Sequence, residues 1–515
     1  MSDLNTLRSQ GISVYCVVDE NGIAVNGTLT LRNISSAGMA AICQVDSSGV
    51  ANGLNNYALR SRGLITFCQV NENGADPVSG DTLGQLRQRG IIGLCPVDAA
   101  GIAQSGSLTV RQLQQRGIPS FCPVDETGTE KSIGGVIADF LTSTLLPSWI
   151  TFTRASSATY FDATGTMQTA ANDVARFDYN PATLAPKGLP IEEARTNIVL
   201  GSNDLTNVNW NLNNATAVKN VTGIDGTTSA WTLTNDATVG NHRFYQSIAT
   251  TTGYSYQIIA KAGTANFISI SPSASISCYV AVNLSDGSIY GSAGLTPVVT
   301  QLANGFWSIV GNNNTVSSSF YVVSMAMTGA NALPGANYSG GGETVILQDM
   351  QAELGAFATS YIPTTTAPVA RSADVPAGTS ATYPMKAWVI EVGGMQAATA
   401  ATLLGINTQI GLGATVGNAL TTADGGAQTS GNTATWTGTN RGGIAFDATP
   451  RVSIDLNGGT VVTAANSPAA VTALYFGNTN NGAGSFLNGH IRKIAGYTAL
   501  TDAVLTAKAT AGAPL

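Results

Sequence analysis

Charge is what this sequence has least of. Asp, Glu, Lys and Arg make up only 10% of its 515 residues, against about a quarter in ordinary globular chains. No basic stripe can therefore track a nucleic-acid backbone, and the formal net charge of −7 is small for the length. Histidine is limited to His242 and His490. No Ser or Cys nucleophile motif accompanies either one, which argues against a catalytic triad. The six cysteines include no CxxC pair, so a tetrahedral metal site has no local ligand set. Glu192 and Glu193 are adjacent and point to opposite faces of a strand. That is poor geometry for a glycosidase pair, and ion pairing to Arg195 or another arginine is the plainer reading. Met1 to Gln10 is polar and has no signal-peptide core. The most apolar stretch, Gly135 to Ile150, contains Asp139, Thr142, Ser143, Thr144 and Pro147. It is too short and too polar to span a bilayer, and reads as a buried helix or an oligomer contact. No enzyme activity, cofactor, metal, nucleic-acid partner or membrane insertion is expected.

A repeat is what the sequence does have. Cys16, Cys43, Cys68, Cys95 and Cys122 follow one another at intervals of 27, 25, 27 and 27 residues. Each has a Gly five residues before it, a Val two after it and a Gly six after it. Fixed-period self-similarity means stacked structural units. In the fourth repeat Asp81 or Thr82 caps a short helix carrying Leu83 and Leu86, with Arg87 and Arg89 in its last turn. Gly90 sits where a left-handed helix stop is wanted, and a short strand through Cys95 follows. In the first repeat Asp19-Glu20-Asn21-Gly22 reads as a hairpin turn into a return strand. Each unit is thus a short helix plus a hairpin, too small to bury its own core.

Hydrophobic residues reach 43% and glycines number 58, a balance that supports cores built from many small residues. The expected fold is mainly β: five helix-plus-hairpin repeats, then two antiparallel sandwiches. Residues 1–131 hold the repeats, 132–149 an apolar connector and 150–204 a linking segment. Residues 205–365 form a first sandwich, 366–380 a linker rich in Pro, Thr and Ala, and 381–515 a second sandwich ending on a short helix.

Three segments resemble tailed-bacteriophage fibre and head-spike fibre proteins. They are ITFTRASSATYFDATGTMQTAANDVARFDY (Ile150 to Tyr179), GLPIEEARTNIVLGSNDL (Gly188 to Leu205) and LQDMQAELGAFATSYIPTTTAPVARSADV (Leu347 to Val375). The last resembles the closing strand of a carbohydrate-binding-module-like jelly roll, and DGTTSAWTL and KAGT fit the same domain. Ser485 to Ala507 is similar to the end of a concanavalin-like lectin sandwich. The resemblance implies a virion structural protein, assembled in the host cytoplasm and acting outside the cell. It further implies a homotrimer, host-surface glycan as ligand, and collar, neck, tail or capsid proteins as partners. The cysteine repeats match no family. One competing reading is a collar or capsid-decoration protein that braces the particle through disulfides without touching a receptor. Another is a polysaccharide-depolymerising spike.

Sugar sites use exposed aromatics as platforms, with amides and carboxylates for hydroxyls. Trp436, Trp307 and Tyr245 are the aromatic candidates, and Asn478, Asn480 and Asn481 the polar ones. The Asn-rich loop also reads as a plain solvated turn; as a calcium loop it matches no defined spacing. The repeat cysteines read either as buried small side chains or as disulfide links to other chains. The position is Cys in all five repeats while its neighbours vary, which favours a shared chemical task.

Overall fold

The computed structural model describes 14–18, 40–44, 50–51, 54–55, 60, 65–70, 82–88, 91–96, 110–116 and 118–124. It describes 137–378 apart from 148, 274–275, 313 and 316–317. Beyond these it describes 387–395, 401–406, 410–414, 419–424, 427–433, 439–446, 452–458, 461–464, 474–478, 486–497 and 502–510. The chain is mainly β, with antiparallel sheets throughout its larger part. None of the described helices is long and apolar enough to cross a membrane.

The five cysteine repeats each contribute one strand: Val14–Val18, Ala40–Gln44, Ile65–Gln69, Ile92–Pro96 and Ser120–Val124. The strands run parallel and close into a barrel, the last pairing with the first. Closure removes every unpaired edge, and strands covered on both faces read as nearly continuous apolar runs. Ile42, Phe67 and Phe121 fill one face, with Tyr15, Val17 and Leu94 packed against them. The Phe67 and Phe121 rings meet edge to face at 5.2 Å. The other face carries Gly93 and Cys95 beneath the helix Leu83–Gln88. A Cβ on Gly93 would lie 2.4 Å from Leu83 Cδ2, so glycine is what lets helix and strand touch. Gln85 closes the helix start by accepting hydrogen bonds from the Thr82 backbone N–H at 2.8 Å and its hydroxyl at 2.9 Å. The helix is there, but the strand pairs with its counterparts in neighbouring repeats, and the antiparallel pair seen between cysteine strands is Val50–Ala51 with Leu54–Asn55. The return strand expected after Gly22 lies outside the described residues.

Residues 205–365 hold a jelly roll of two six-stranded antiparallel sheets. Leu233, Phe244, Tyr256, Ile258, Ile268, Val280, Tyr321, Val323 and Leu347 are among the residues filling the space between them. The second sandwich is not confined to 381–515. Ile137–Asp139 pairs with Gly489–Tyr497, as does Pro186–Ile191. Val375–Gly378 pairs with both Ile150–Thr153 and Leu474–Phe476. Ala138, Phe140, Trp149, Ile150, Phe152, Leu189 and Ile191 share one core with Trp388, Ile390, Leu404, Phe476 and Ile494.

Three sequence expectations change. The stretch around 137–150 is strand and turn instead of helix; Ala138, Phe140, Trp149 and Ile150 join this core while Leu145 stays exposed. The linking segment and the proposed linker both supply strands. The jelly roll is an insertion within the carboxy-terminal sandwich, which was invisible because its strands pair across more than 200 residues of sequence.

Candidate functional site

Arg195–Asn197 carries the chain into the inserted jelly roll and Val369–Arg371 brings it back. The two pair antiparallel, Arg195 opposite Arg371 and Asn197 opposite Val369. Buried charge packs around this crossing. Arg154 Nη1 lies 3.1 Å from Asp374 Oδ1. Arg176 Nη2 reaches Asp374 Oδ2 at 2.5 Å and Glu192 Oε2 at 2.8 Å. Arg371 Nη1 stands 3.5 Å from Glu192 and 3.7 Å from Asp374. Ser360 donates its backbone N–H and its hydroxyl to Glu192, each at 2.7 Å. Burial pushes the Glu192 carboxyl up, but the Arg371 and Arg176 charges and the Ser360 bonds outweigh it and hold it well below the carboxylate range. Burial likewise opposes charge on Arg176, yet Asp374 and Glu192 keep it firmly protonated. Glu193 turns the other way and pairs with Arg195, whose guanidinium stacks 4.9 Å from the Phe357 ring centroid. The ion pairing expected of both glutamates is observed.

A cleft of about 240 Å³ opens beside this cluster, between the two sandwiches. The carboxy-terminal sandwich and the strands leading from it contribute Tyr160, Phe161, Asp178, Lys187, Glu192 and His490. The jelly roll contributes Gln257, Ile259 and Ser308. Tyr160 and Phe161 are half-buried at the end of Ala158–Phe161. Asp178 ties the wall together by accepting from Phe161 N–H at 2.9 Å, Lys187 Nζ at 2.6 Å and His490 Nε2 at 2.9 Å. Burial raises the Asp178 carboxyl, but the His490 hydrogen bond and the Lys187 charge bring it well below the usual range. Burial, then Lys187, lower His490 from its ordinary value, so near pH 7 its ring is neutral. With Nε2 donating to Asp178, Nδ1 carries a lone pair.

Three residues of the cleft lining each hold a buried polar atom with no hydrogen-bond partner among the described residues: Gln257 Oε1, His490 Nδ1 and Arg176 Nε. Gln257 is fixed by donating Nε2 to Ser308 Oγ at 3.0 Å, which aims its oxygen. Gly394, at φ +63, has the site for a Cβ only 3.2 Å from Nδ1, so a larger residue there would cover the atom. Buried groups of this kind are normally satisfied. Two acceptors and a donor beside an aromatic pair match a ligand rich in hydroxyls. Among the described residues no three His, Cys, Asp or Glu side chains gather as metal ligands.

The sequence candidates lie elsewhere. Trp436, Asn480 and Asn481 fall outside the described residues. Asn478 is fully buried and donates to Phe476 O at 3.3 Å, so it presents no surface to a sugar. Trp307 is half-buried, donates its indole N–H to Leu284 O at 2.9 Å and closes on Gly287. Tyr245 lies under the Arg243 guanidinium at 5.3 Å. Neither lines the cleft. Cys43, Cys68 and Cys95 are 1%, 2% and 0% exposed thiols, each directed at the carbonyl of its own neighbour or the next residue's backbone. Their burial accords with the reading of small buried side chains. The Cys16 and Cys122 side chains lie outside the described set. The cleft residues were missed because they come from distant segments. Gln257, a polar residue within the apolar strand Tyr254–Ala262, was the available signal.

No family model matches the chain, and no curated protein does. Among solved structures, a sialidase carbohydrate-binding module (CBM40) from Ruminococcus gnavus, bound to α2,3-sialyllactose, aligns at 16% identity over 24% of this chain and 82% of its own, TM-score 0.21. The Trypanosoma rangeli sialidase in complex with sialic acid aligns at 8% identity over 54% of this chain and 59% of its own, TM-score 0.23. A Bacteroides ovatus protein described as a putative carbohydrate binding protein aligns at 12% identity over 53% of this chain and 80% of its own, TM-score 0.20. These are distant, partial likenesses.

Proposed function

We propose that this chain is a virion-borne structural protein that binds host-surface polysaccharide in the cleft between its two sandwiches. The observation that carries the binding reading is a cleft with Tyr160 and Phe161 in its wall, lined also by Gln257, His490 and Arg176, each of which holds a buried polar atom without a hydrogen-bond partner among the described residues. A sugar supplies hydroxyls for the polar atoms and an apolar ring face for the aromatics. The virion assignment rests on the three fibre-like segments, with the amino-terminal repeats as the attachment arm and virion proteins as partners. Those same segments hold Arg154, Tyr160, Arg176, Glu192, Ser360, Arg371 and Asp374. The particle context places the protein outside the cell in use.

The charges of two cleft carboxyls support holding the glycan over cleaving it. A glycosidase needs one carboxyl that is protonated near the working pH. Asp178 and Glu192 are both held ionised by cationic neighbours, so neither can act as the acid.

A glycan array followed by calorimetry on the best ligand tests the reading. Tyr160→Ala and Gln257→Ala should each weaken binding about tenfold, equivalent to about 1.4 kcal/mol, with the melting temperature little changed. Silence across the array, or full affinity in both variants, overturns the proposed site. Released oligosaccharide would favour the depolymerase reading.

A further inference from the structure

The jelly roll has a second outer face, away from the cleft. Gln257 and Ile259, which line the cleft, belong to the sheet that contains Tyr254–Ala262. The other sheet runs, in order, Trp210–Asn213, Arg243–Thr250, Ser318–Ala326, Phe267–Ser271, Tyr279–Asn283 and Ile289–Ala293. Across these six strands Arg243 is the one charged residue. Phe244 and Ile248 belong to the core, so Arg243 and Tyr245 face outward by the alternation of a strand.

On that face Arg243 stands between Asn213 and Ser324, and Tyr245 between Asn211 and Val322. Asn211 and Asn213 are exposed, while Arg243 and Tyr245 are half-buried. Farther along the same row Ser324 pairs with Ser269 and Ser269 with Ala281. There the turn of helix Gly329–Ala332 packs on the sheet, its Ala332 carbonyl accepting from the Ser269 hydroxyl. That turn bounds the open part of the face on one side. The Arg243 guanidinium lies 5.3 Å from the Tyr245 ring centroid. Among the described residues no carboxylate pairs with it, and its buried Nε–H has no hydrogen-bond partner. A guanidinium held against a ring gives up less freedom when it takes a ligand.

We propose that this face is a second sugar site, which takes the carboxylate of an acidic sugar on Arg243. A guanidinium fork meets a carboxylate through two parallel hydrogen bonds. The Asn211 and Asn213 amides offer both donors and acceptors to ring hydroxyls, and Tyr245 adds apolar area beside them. The cleft is built differently. Its Arg176 and Lys187 are paired with Glu192 and Asp178, so neither is left over for an acidic ligand.

Calorimetry on the full-length chain tests this, with galacturonate, glucuronate and N-acetylneuraminate oligosaccharides as probes, each against its neutral counterpart. At least one acidic probe should bind roughly tenfold tighter than its counterpart, or more. Arg243→Gln should remove that preference at an unchanged melting temperature, and Arg243→Lys should restore only part of it. Tyr160→Ala, in the cleft wall, should leave it intact. A short glutamate peptide, which has the carboxylates without the ring, should bind weakly, and equal affinity for it overturns the sugar assignment. No preference for any acidic probe, or an unchanged preference in Arg243→Gln, overturns the site and leaves the cleft reading standing. Loss of the preference in Tyr160→Ala also overturns it, by moving the acidic sugar to the cleft.

Discussion

Asp374 holds two guanidiniums at once, Arg154 on one oxygen and Arg176 on the other, and it is itself fully buried. Removing one member of a buried ion cluster leaves the others charged and without their partner, which typically costs about 3–5 kcal/mol. Asp374→Asn should destabilise the protein by about that amount in urea unfolding, and a loss under about 1 kcal/mol would mean the cluster relaxes around the gap. A second effect at this scale concerns protons. Burial pushes the Asp349 and Glu353 carboxyls up to about 7, against the hydrogen bonds that Gln348 and Thr359 donate to them. A carboxyl whose folded value is raised binds its proton more tightly in the native state. Its contribution is therefore fully present below the ordinary carboxyl range and is lost as pH rises to about 7. Stability should fall from about pH 4 to 7, by up to roughly 3–4 kcal/mol per group. The double variant Asp349→Asn, Glu353→Gln should flatten that slope. Asn suits position 349, whose φ is +56, because Asn tolerates the left-handed region. An unchanged slope in the double variant would assign the pH dependence to other groups.

At the level of elements, the helix Leu83–Gln88 was legible from its cap, its two leucines and the glycine behind it, because all of those cues are local. The strand through Cys95 was legible too. Its partners were not: a run such as Ile91 to Val97 is equally apolar whether it returns in a hairpin or lies in a parallel sheet. Gly93 shows what the closed barrel demands. It occupies the place two before a cysteine that Val14, Ala41, Thr66 and Ser120 fill in the other repeats, but here a Cβ would lie 2.4 Å from Leu83 Cδ2. Gly93→Val should force the helix outward and destabilise the barrel by about 1–3 kcal/mol. Hydrogen exchange of the amides in strand Ile92–Pro96 would read this as faster local opening, and unaltered protection would show that Leu83 swings aside without strain. The cleft was legible only in fragments. Tyr160 and Phe161 were read as strand, and Gln257 passed as one polar residue among apolar ones, because proximity across the joint leaves no mark in any short window.

For the whole molecule, nesting of one sandwich inside the other changes where the chain can be cut. A boundary at 380, which composition suggests, separates Ala387–Gly393 and Gly489–Tyr497 from Ile137–Asp139, Pro186–Ile191 and Val375–Gly378. It also strips Trp149, Phe152, Leu189 and Ile191 from the shared core. Residues 381–515 expressed alone would expose that apolar face and two sheet edges, and should aggregate or stay unfolded. The paired crossing offers a different cut. Asn197 lies directly opposite Val369 in an antiparallel pair, so a two-residue Asn-Gly turn can join them without moving either strand. A chain with 198–368 replaced by that turn keeps every strand of the carboxy-terminal sandwich, and with them Arg154, Arg176, Glu192, Arg371 and Asp374. It loses Ser360, and so two of the hydrogen bonds on Glu192, together with the Gln257 wall of the cleft. It should therefore fold cooperatively with somewhat lower stability and lose glycan binding. Dispersed amide resonances and one unfolding transition in the shortened chain, against collapse of 381–515, are the expected pair of results. A well-folded 381–515 would show instead that the early strands are an added layer on a sandwich complete without them.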